Sequence, residues 1–245
     1  MALDYYFTTQ MQDDSVPVMR FYGWDPYCLS LGRHQTSENI LYEKLKNDGF
    51  DIVRRPTGGS AILHSEELTY SIIVPSNLIS HHYLYSFIHL ILSKTLNKLG
   101  YEVELHNEQD NSNYLKSGSA TFACFNRPAY KEIKYHDRKL IGSAQKIYKD
   151  AILQHGSILI GSKQKDIIKY LYEDKEKVNK TLEYLNSNSI CLNDISGSPI
   201  NEKNLSQEII NTIKKSGIKI FEHENIKDIE LNEAKKYIAA FKVTF

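Results

Sequence analysis

The sequence predicts an α/β (α+β) fold, a mixed β-sheet with helices packed against it. Short runs rich in β-branched and aromatic residues, which favour strands, alternate with segments of helical periodicity up to residue 105. Further strand-like runs follow one another between residues 121 and 160. A chain of 245 residues is long enough to bury a substantial core in one large domain, with or without a small appendage.

Each element of the first half has its own signal. Strand-like runs, separated by turn residues such as Asp25-Pro26, are predicted at 18–24, 28–31, 51–54, 60–64, 68–74 and 101–105. Helical spacing of apolar residues predicts helices at 2–11, 39–48 and 82–99. The last helix has the clearest pattern, and Gly100 provides its end.

The second half changes character along its length. A polar, mobile loop is predicted at 106–119, and strands are predicted at 121–125, 131–135, 139–146, 151–154 and 157–160. Beyond residue 162 the pattern predicts helices near 166–185, 204–216 and 230–241, with a linker-like loop at 186–204. We expect residues 1–165 to form the core and residues 166–245 to form a helical part packed on the same domain.

Composition argues against several classes of protein. The formal net charge is zero, so binding of nucleic acid through bulk charge is not expected. No apolar run approaches the ~20 residues of a membrane span, and the N-terminus lacks the pattern of a signal peptide. The three cysteines lack metal-type spacing and indicate neither a disulfide framework nor a metal site. We therefore expect a cytoplasmic location, no metal, and no membrane or nucleic-acid partner.

Residues 114–149 form a basic segment with eight cationic and two acidic residues, a net charge of +6. Its cations are Lys116, Arg127, Lys131, Lys134, Arg138, Lys139, Lys146 and Lys149. Two interpretations stay open: a solvated basic face, or a docking surface for an acidic partner whose association would depend on salt.

Two blocks carry the strongest functional signals. The first reads Arg-Arg-Pro-Thr-Gly-Gly-Ser-Ala-Ile-Leu-His at 54–64, and Glu-Leu-Thr-Tyr-Ser follows at 67–71. Its proline and paired glycines suit a wall that lies close against a ligand, although a tight hairpin would have a similar composition. The second block reads Arg-Lys-Leu-Ile-Gly-Ser-Ala-Gln at 138–145, with Leu-Gln-His-Gly-Ser-Ile-Leu at 153–159.

In their order and spacing these motifs resemble the superfamily of lipoate-protein ligase A, biotin-protein ligase and lipoyl (octanoyl) transferase. A weaker match, Arg-Phe-Tyr-Gly-Trp, lies at 20–24, and the resemblance covers roughly residues 1–200. It implies a lipoyl/biotin ligase-like catalytic domain. Members of the family usually have another strand before a stretch like residues 1–4, so we expect either that this strand is missing or that the protein starts further upstream.

The resemblance implies two catalytic residues, Cys124 and Lys139. A lone cysteine is more often a small buried apolar residue, but the Ala-Cys-Phe segment at 123–125 resembles the acyl acceptor of the cysteine-dependent octanoyltransferases. Exchange of one thioester for another is nearly isoenergetic and needs no ATP, and nearby cations would raise the thiolate fraction. Lys139 would hold the acyl carbonyl and stabilise the negative charge that develops on it.

The resemblance also implies a substrate pocket. Arg55 and the glycine pair would shape its wall, and Gly142 and Ser143 would line the acyl chain. The two histidines of the motifs could shuttle protons at neutral pH, although a structural role stays open for both. The expected substrate-binding residues are Arg55, Gly58, Gly59, His64, Gly142, Ser143, His155 and Gly156.

Three functions stay open. The favoured one is ATP-independent octanoyl transfer, without a cofactor, from acyl carrier protein to a lysine of a lipoyl domain or of the glycine cleavage H protein, in lipoate biosynthesis. The second is an ATP-dependent lipoate-protein ligase, which would use ATP and Mg²⁺; such ligases tend to carry a Gly-Asn-Leu-Asn-like segment where this chain has Glu67-Leu68-Thr69. The third is a non-catalytic paralogue that binds carrier proteins. A biotin ligase is disfavoured because the chain lacks a Gly-Arg-Gly-Arg-type loop.

Overall fold

The computed structural model describes residues 1–106, 132–172, 174–223 and 225–243. Within these ranges the predicted mixed α/β class is confirmed, because β-strands form sheets that helices cover. The strands are β1 (Val18–Tyr22), β2 (Cys28–Leu31), β3 (Asp51–Arg54), β4 (Ile62–His64), β5 (Glu67–Pro75), β6 (Glu104–His106), β7 (Glu132–Tyr135), β8 (Arg138–Lys139), β9 (Ile141–Ile147) and β10 (Ala151–Leu159). The α-helices are α1 (Ala2–Gln10), α2 (Tyr42–Asn47), α3 (His81–Lys98), α4 (Lys175–Asn188), α5 (Leu192–Ser196), α6 (Glu202–Lys215) and α7 (Asp228–Lys235). Single 3₁₀ segments lie at Lys163–Tyr170 and Ile238–Phe241.

A four-stranded antiparallel sheet in the order β1-β5-β10-β9 carries the centre of the fold. β5 and β10 are buried along their whole length, which requires cover on both faces of the sheet. Because successive side chains of a strand point to opposite faces, alternate residues of β5 enter different clusters. Tyr70 and Ile72 pack with α3 and α6, while Ile73 packs beside Phe7 of α1.

Two three-stranded sheets complete the described strands. In the order β3-β2-β4, β2 runs parallel to β3 and antiparallel to β4, so the parallel pairing expected of a mixed sheet occurs here. The third sheet, β6-β7-β8, is antiparallel. The predicted sheet is therefore divided into three, and strands of the sequence motifs occur in all three.

Several element boundaries differ from the prediction. β10 is one strand, where the sequence predicts two runs, because it pairs with β5 and β9 on both sides across Gly156. The linker-like loop predicted at 186–204 is wrong: α4 continues to Asn188, α5 follows, and Ile190, Cys191 and Leu192 are buried. Those apolar side chains fill the core, which a solvated linker could not do.

Among the C-terminal elements, α6 and α7 each contact the rest of the fold. Leu205, Ile209 and Ile213 of α6 belong to the main apolar core. α7 packs against α1, and the Tyr5 ring lies edge-on to Tyr237, with ring centroids 5.0 Å apart. The division at residue 165 stays a prediction. Among the described residues, no helix is both long and apolar enough to cross a membrane.

Candidate active site

A cavity with about 360 Å³ of empty space, part of it open to solvent, opens where the two sequence blocks meet. The residues around it come from the position before α1, from the segment after β1, from the motif block at 54–64, and from β5, β9 and β10. They are Met1, Trp24, Arg55, Ile62, His64, Thr69, Gly142, Ser143, Ala144, His155, Gly156 and Ser157. Six of the eight residues expected to bind substrate thus surround one space.

Gly156 allows the strands behind the cavity to pack closely. A Cβ atom placed on it would lie 2.6 Å from Ser143 Oγ, 2.6 Å from Tyr70 Cε1 and 2.8 Å from Gly142 O. Cβ atoms do not approach other heavy atoms so closely, and the interior is too densely packed to yield freely. Only glycine therefore fits this position without moving the wall.

Arg55 is 2% exposed and ties the glycine block together. Its guanidinium donates to the carbonyl oxygens of Gly58 at 2.9 Å, Ser60 at 2.6 Å and Ser30 at 3.1 Å. Five rigid N–H donors suit this multiple contact with backbone carbonyls. Gly58 thus acts on the cavity through its carbonyl, which holds the arginine that lines it.

The backbone of Gly59 contacts the backbone of Gly32, the residue that follows β2. A Cβ on Gly32 would lie 1.8 Å from the Gly59 carbonyl oxygen, so the two backbones touch. Gly59 itself has a φ of 91°, a conformation that residues with a Cβ rarely adopt. Both glycines set the path of the loop rather than contributing a reactive group.

His64 lies in a buried polar network centred on Glu67. Glu67 Oε1 is 2.7 Å from His64 Nδ1, and it accepts hydrogen bonds from Thr69 Oγ1 at 2.6 Å and Ser157 Oγ at 2.7 Å. Burial opposes ionisation of Glu67, but His64 and these hydrogen bonds outweigh it and lower the pKa of the carboxyl group. Nδ1 of His64 therefore donates to the carboxylate, and Nε2 lies 2.8 Å from Ser30 Oγ.

The connected atoms of Ser30, His64 and Glu67 have the order of a serine–histidine–acid triad. Ser30, however, is fully buried, and its hydroxyl oxygen accepts a hydrogen bond from Arg55 Nη1 at 3.2 Å. A nucleophile must reach the substrate carbonyl. The network therefore fixes the imidazole in place and does not supply a nucleophile.

Trp24 covers His64 at the cavity. The two rings are stacked, with centroids 4.2 Å apart and an interplanar angle of 12°. Trp24 Nε1 donates to Thr69 Oγ1 at 2.8 Å, which links the indole to the Glu67 network. The cavity thus has an aromatic wall whose position depends on a buried carboxylate.

His155 is a neutral residue of the opposite wall. Burial, with help from the charge of Arg55, lowers the pKa of His155 to about 3, although Asp4 opposes the shift. Its Nε2 lies 2.7 Å from Thr57 Oγ1, so the histidine joins β10 to the first motif block. At neutral pH this imidazole is an uncharged contact between the two blocks.

Ser143 belongs to a chain of hydrogen bonds that leads to α3. Its Oγ lies 2.7 Å from Tyr70 Oη and 2.9 Å from His89 Nε2. Gln154 Nε2 donates to Tyr70 Oη at 3.0 Å, and Gln145 Nε2 donates to Gln154 Oε1 at 2.9 Å. Burial raises the pKa of Tyr70 to about 12, so its hydroxyl keeps its proton for this chain.

Lys139 lies outside the set of residues that line the cavity. It is 7% exposed, and its Nζ is 2.5 Å from Glu132 Oε1. Gly142, three residues further along the chain, does line the cavity, so the two Cα atoms are at most ~10 Å apart. Lys139 and Glu132 are buried together, so neither belongs to a solvated basic face of residues 114–149.

The proposed nucleophile Cys124 lies outside the described residues. The other two cysteines are buried. Burial raises the pKa of Cys28 to about 12 and that of Cys191 to about 11, so neither is a thiolate at neutral pH. These environments are those of structural residues.

Sequence reasoning missed the residues that support the cavity from behind. The sequence could have indicated Glu67, because a carboxylate within a strand as apolar as β5 is buried and needs hydrogen-bond partners. His89 had a weaker signal, because it lies on the apolar face of α3. Ser30 and Thr57 are ordinary hydroxyl residues, and only the fold shows which imidazole each contacts.

The chain is similar to proteins of known family. It matches the family described as lipoyl protein ligase A/B catalytic domain over residues 1–214. It is 32% identical to octanoyltransferase LipM of Kyrpidia tusciae over 199 residues, which cover 79% of this chain and 73% of that protein. It is 34% identical to octanoyltransferase LipM of Staphylococcus aureus over 229 residues, which cover 89% of this chain and 80% of that protein.

Solved structures share the fold. A bi-partite lipoate protein ligase from Thermoplasma acidophilum, described with its E2 lipoyl domain, has a TM-score of 0.76 at 18% identity, covering 96% of this chain and 85% of that chain. A lipoate-protein ligase A bound with ATP has a TM-score of 0.73 at 22% identity, covering 96% and 87%. The family match over residues 1–214, together with the relatives above 30% identity, assigns the protein: it belongs to the lipoyl protein ligase A/B catalytic domain family.

Proposed function

We propose that the protein transfers an octanoyl group from acyl carrier protein to a lysine of a lipoyl domain, or of the glycine cleavage H protein, in lipoate biosynthesis. The protein is an acyltransferase, as its relatives named octanoyltransferase LipM indicate. The observation that carries the proposal is the cavity in which both motif blocks meet, since the resemblance assigns the acyl group to these segments. Trp24, Ile62 and Ala144 give it apolar surface suited to an alkyl chain.

The proposed reaction has two steps. The Cys124 thiolate attacks the carbonyl carbon of the octanoyl thioester, and the carrier leaves as a thiolate. The neutral amine of the acceptor lysine then attacks the octanoyl–Cys124 thioester: the amide C–N bond forms, the C–S bond breaks, and the proton that the nitrogen loses passes to the departing cysteine sulfur. The first step exchanges equivalent bonds and the second runs downhill from thioester to amide, so neither needs ATP or Mg²⁺.

Within this scheme Lys139 stabilises the negative charge that grows on the carbonyl oxygen during each attack. Acyl carrier protein and the acceptor are the proposed partners. A lipoyl domain as acceptor is supported by the structural relative described with its E2 lipoyl domain. The cytoplasmic location expected from the sequence stays a prediction.

The direct test is mass spectrometry of the intact protein mixed with octanoyl-acyl carrier protein without nucleotide. We expect one octanoyl adduct that hydroxylamine removes and that Cys124→Ala does not form, followed by transfer to an added lipoyl domain. If acylation required ATP together with free octanoate or lipoate, the ligase would replace the transferase. If neither donor were used, the protein would be a non-catalytic carrier-binding paralogue.

Occupancy of the cavity can be followed separately. Trp24 is the one tryptophan of the chain, and it lies on the cavity wall stacked on His64. Octanoyl-acyl carrier protein should change its fluorescence, whereas carrier without the acyl group should not. Equal changes with both carriers would place the acyl chain elsewhere.

A further inference from the structure

We propose that Glu132 is a positioning residue that holds the ammonium group of Lys139 for acyl transfer. The inference rests on the proposed function, because it concerns how Lys139 carries out the role assigned there. Glu132 Oε1 and Lys139 Nζ are 2.5 Å apart, and the residues are 3% and 7% exposed. This distance is that of a charge-assisted hydrogen bond.

The β7–β8 hairpin brings the two side chains to one face. Tyr135 pairs with Arg138, and His136 and Asp137 form the turn with φ values of 45° and 63°. Such a two-residue turn fixes the register of the strands it connects. Lys134 pairs with Lys139, so Glu132, two residues before Lys134, lies on the same face as Lys139.

The surroundings explain why Lys139 needs a carboxylate partner. Lys139 is 7% exposed, and Ile190, whose N–H donates to the Lys139 carbonyl, is 1% exposed. A buried ammonium is costly unless an opposite charge pairs with it. Across the strand, the like charge of Lys134 opposes the ammonium further.

Charged and titratable groups beside the pair lie on four of the described elements. Glu104 of β6 pairs with Lys134 of β7, Lys134 pairs with Lys139 of β8, and Tyr184 belongs to α4. Burial, and next the negative charge of Glu132, raise the pKa of Tyr184. The tyrosine therefore stays neutral and does not compete with the carboxylate for the ammonium.

A fold-stabilising role is a weaker explanation for this pair. Two apolar residues in its place would often give a fold at least as stable, because burying both charges costs desolvation. An oxyanion, by contrast, is stabilised by a cation that is already charged and already aimed at it. Glu132 serves this purpose without touching the substrate, since its carboxylate fixes the position of the ammonium group and limits the motion of a long side chain.

The test measures the rate of octanoyl–enzyme formation from octanoyl-acyl carrier protein without ATP. Glu132→Gln should lower kcat by ~10–100-fold and leave KM for the carrier unchanged, because the loss concerns charge that grows during the reaction. Glu43→Gln, the same change at an exposed position of α2, is the matched control and should keep the wild-type rate.

Coupling to Lys139 separates positioning from a general effect on the fold. In a Lys139→Ala background, Glu132→Gln should change kcat by less than about 2-fold, because the partner it positions is gone. An equal loss in both backgrounds would overturn the inference. Circular dichroism and thermal unfolding establish that each variant is folded.

If Glu132→Gln does not fold, Glu132→Asp carries the test. It keeps the charge but withdraws the carboxylate by one methylene, so kcat should still fall, by less than the loss expected for Glu132→Gln. A folded variant at either substitution with a rate within about 2-fold of wild type would overturn the role of Glu132 and leave the proposed function intact. A wild-type protein that never becomes acylated would instead overturn the proposed function, and the inference with it.

Discussion

Replacing Gly156 with alanine tests how tightly the cavity wall is packed. The added Cβ would lie 2.6 Å from Ser143 Oγ, 2.6 Å from Tyr70 Cε1 and 2.8 Å from Gly142 O, so atoms on two neighbouring strands must move. Overpacking of this kind typically costs ~1–3 kcal/mol of unfolding free energy. At ~2–4 °C per kcal/mol for a chain of this size, the melting temperature should fall by ~2–12 °C.

Gly58→Ala is the matched control for stability. A Cβ on Gly58 would meet no heavy atom within 4 Å, and its φ lies outside the left-handed region. The substitution should therefore leave the melting temperature unchanged or raise it slightly, because it restricts the unfolded chain. Thermal unfolding followed by circular dichroism compares the variants. If Gly156→Ala melts at the temperature of Gly58→Ala, the close packing inferred for the wall is wrong.

The steric clash in Gly156→Ala should also weaken binding of the acyl substrate. Ser143 and Gly142 line the cavity, so any movement that relieves the contact with the new Cβ changes the shape of the wall. We expect Gly156→Ala to raise KM for octanoyl-acyl carrier protein in the transfer assay. Unchanged kinetics in a destabilised variant would show that the wall relaxes away from the substrate.

Further predictions concern the buried charges and the basic segment. Glu67→Gln should lower the unfolding free energy by ~2–3 kcal/mol, because donors lose an ionised acceptor, while Glu66→Gln at the exposed neighbouring position should change it by less than ~0.5 kcal/mol. The pKa of His155 is lowered to about 3, so the unfolded chain binds more protons and stability falls as pH drops below ~6.5, by ~1.4 kcal/mol per pH unit. In urea unfolding, the stability difference between wild type and His155→Gln should therefore shrink by ~2 kcal/mol between pH 7 and pH 5; a constant difference would contradict the lowered pKa. Raising the salt concentration should increase KM for the carrier more than it lowers kcat, and Lys134→Glu should do the same; kinetics independent of salt would make the basic segment a solvated face.

The positions of most strands could be read from the sequence because their signals are local. β2 and β3 lie where β-branched and apolar runs predict them, and α3 ends next to Gly100. Local signals failed where burial depends on distant partners. Residues 190–192 look like part of a polar linker, yet they are buried because α4 and α5 bring them into the core.

For the candidate site, too, the sequence predicted the residues but not all of their contacts. Motif order indicated Arg55, His64, Ser143 and His155, and these residues line one cavity. The sequence did not predict that Lys139 would lie outside that lining, paired with Glu132. Strand register decides such contacts, and register is set by pairing across the sheet rather than by neighbours in the chain.

The sequence by itself determined the family, the α/β class and the residue types available for acyl transfer, because motifs, periodicity and turn residues are properties of short segments. Only the tertiary structure decided what those residues contact. The imidazole of His64 is held by Ser30 and Glu67, which belong to different strands, and His155 meets Thr57 across 98 positions of sequence. Contacts of this kind exist only after distant segments have packed, since burial and hydrogen bonding are then shared between side chains that no local pattern connects.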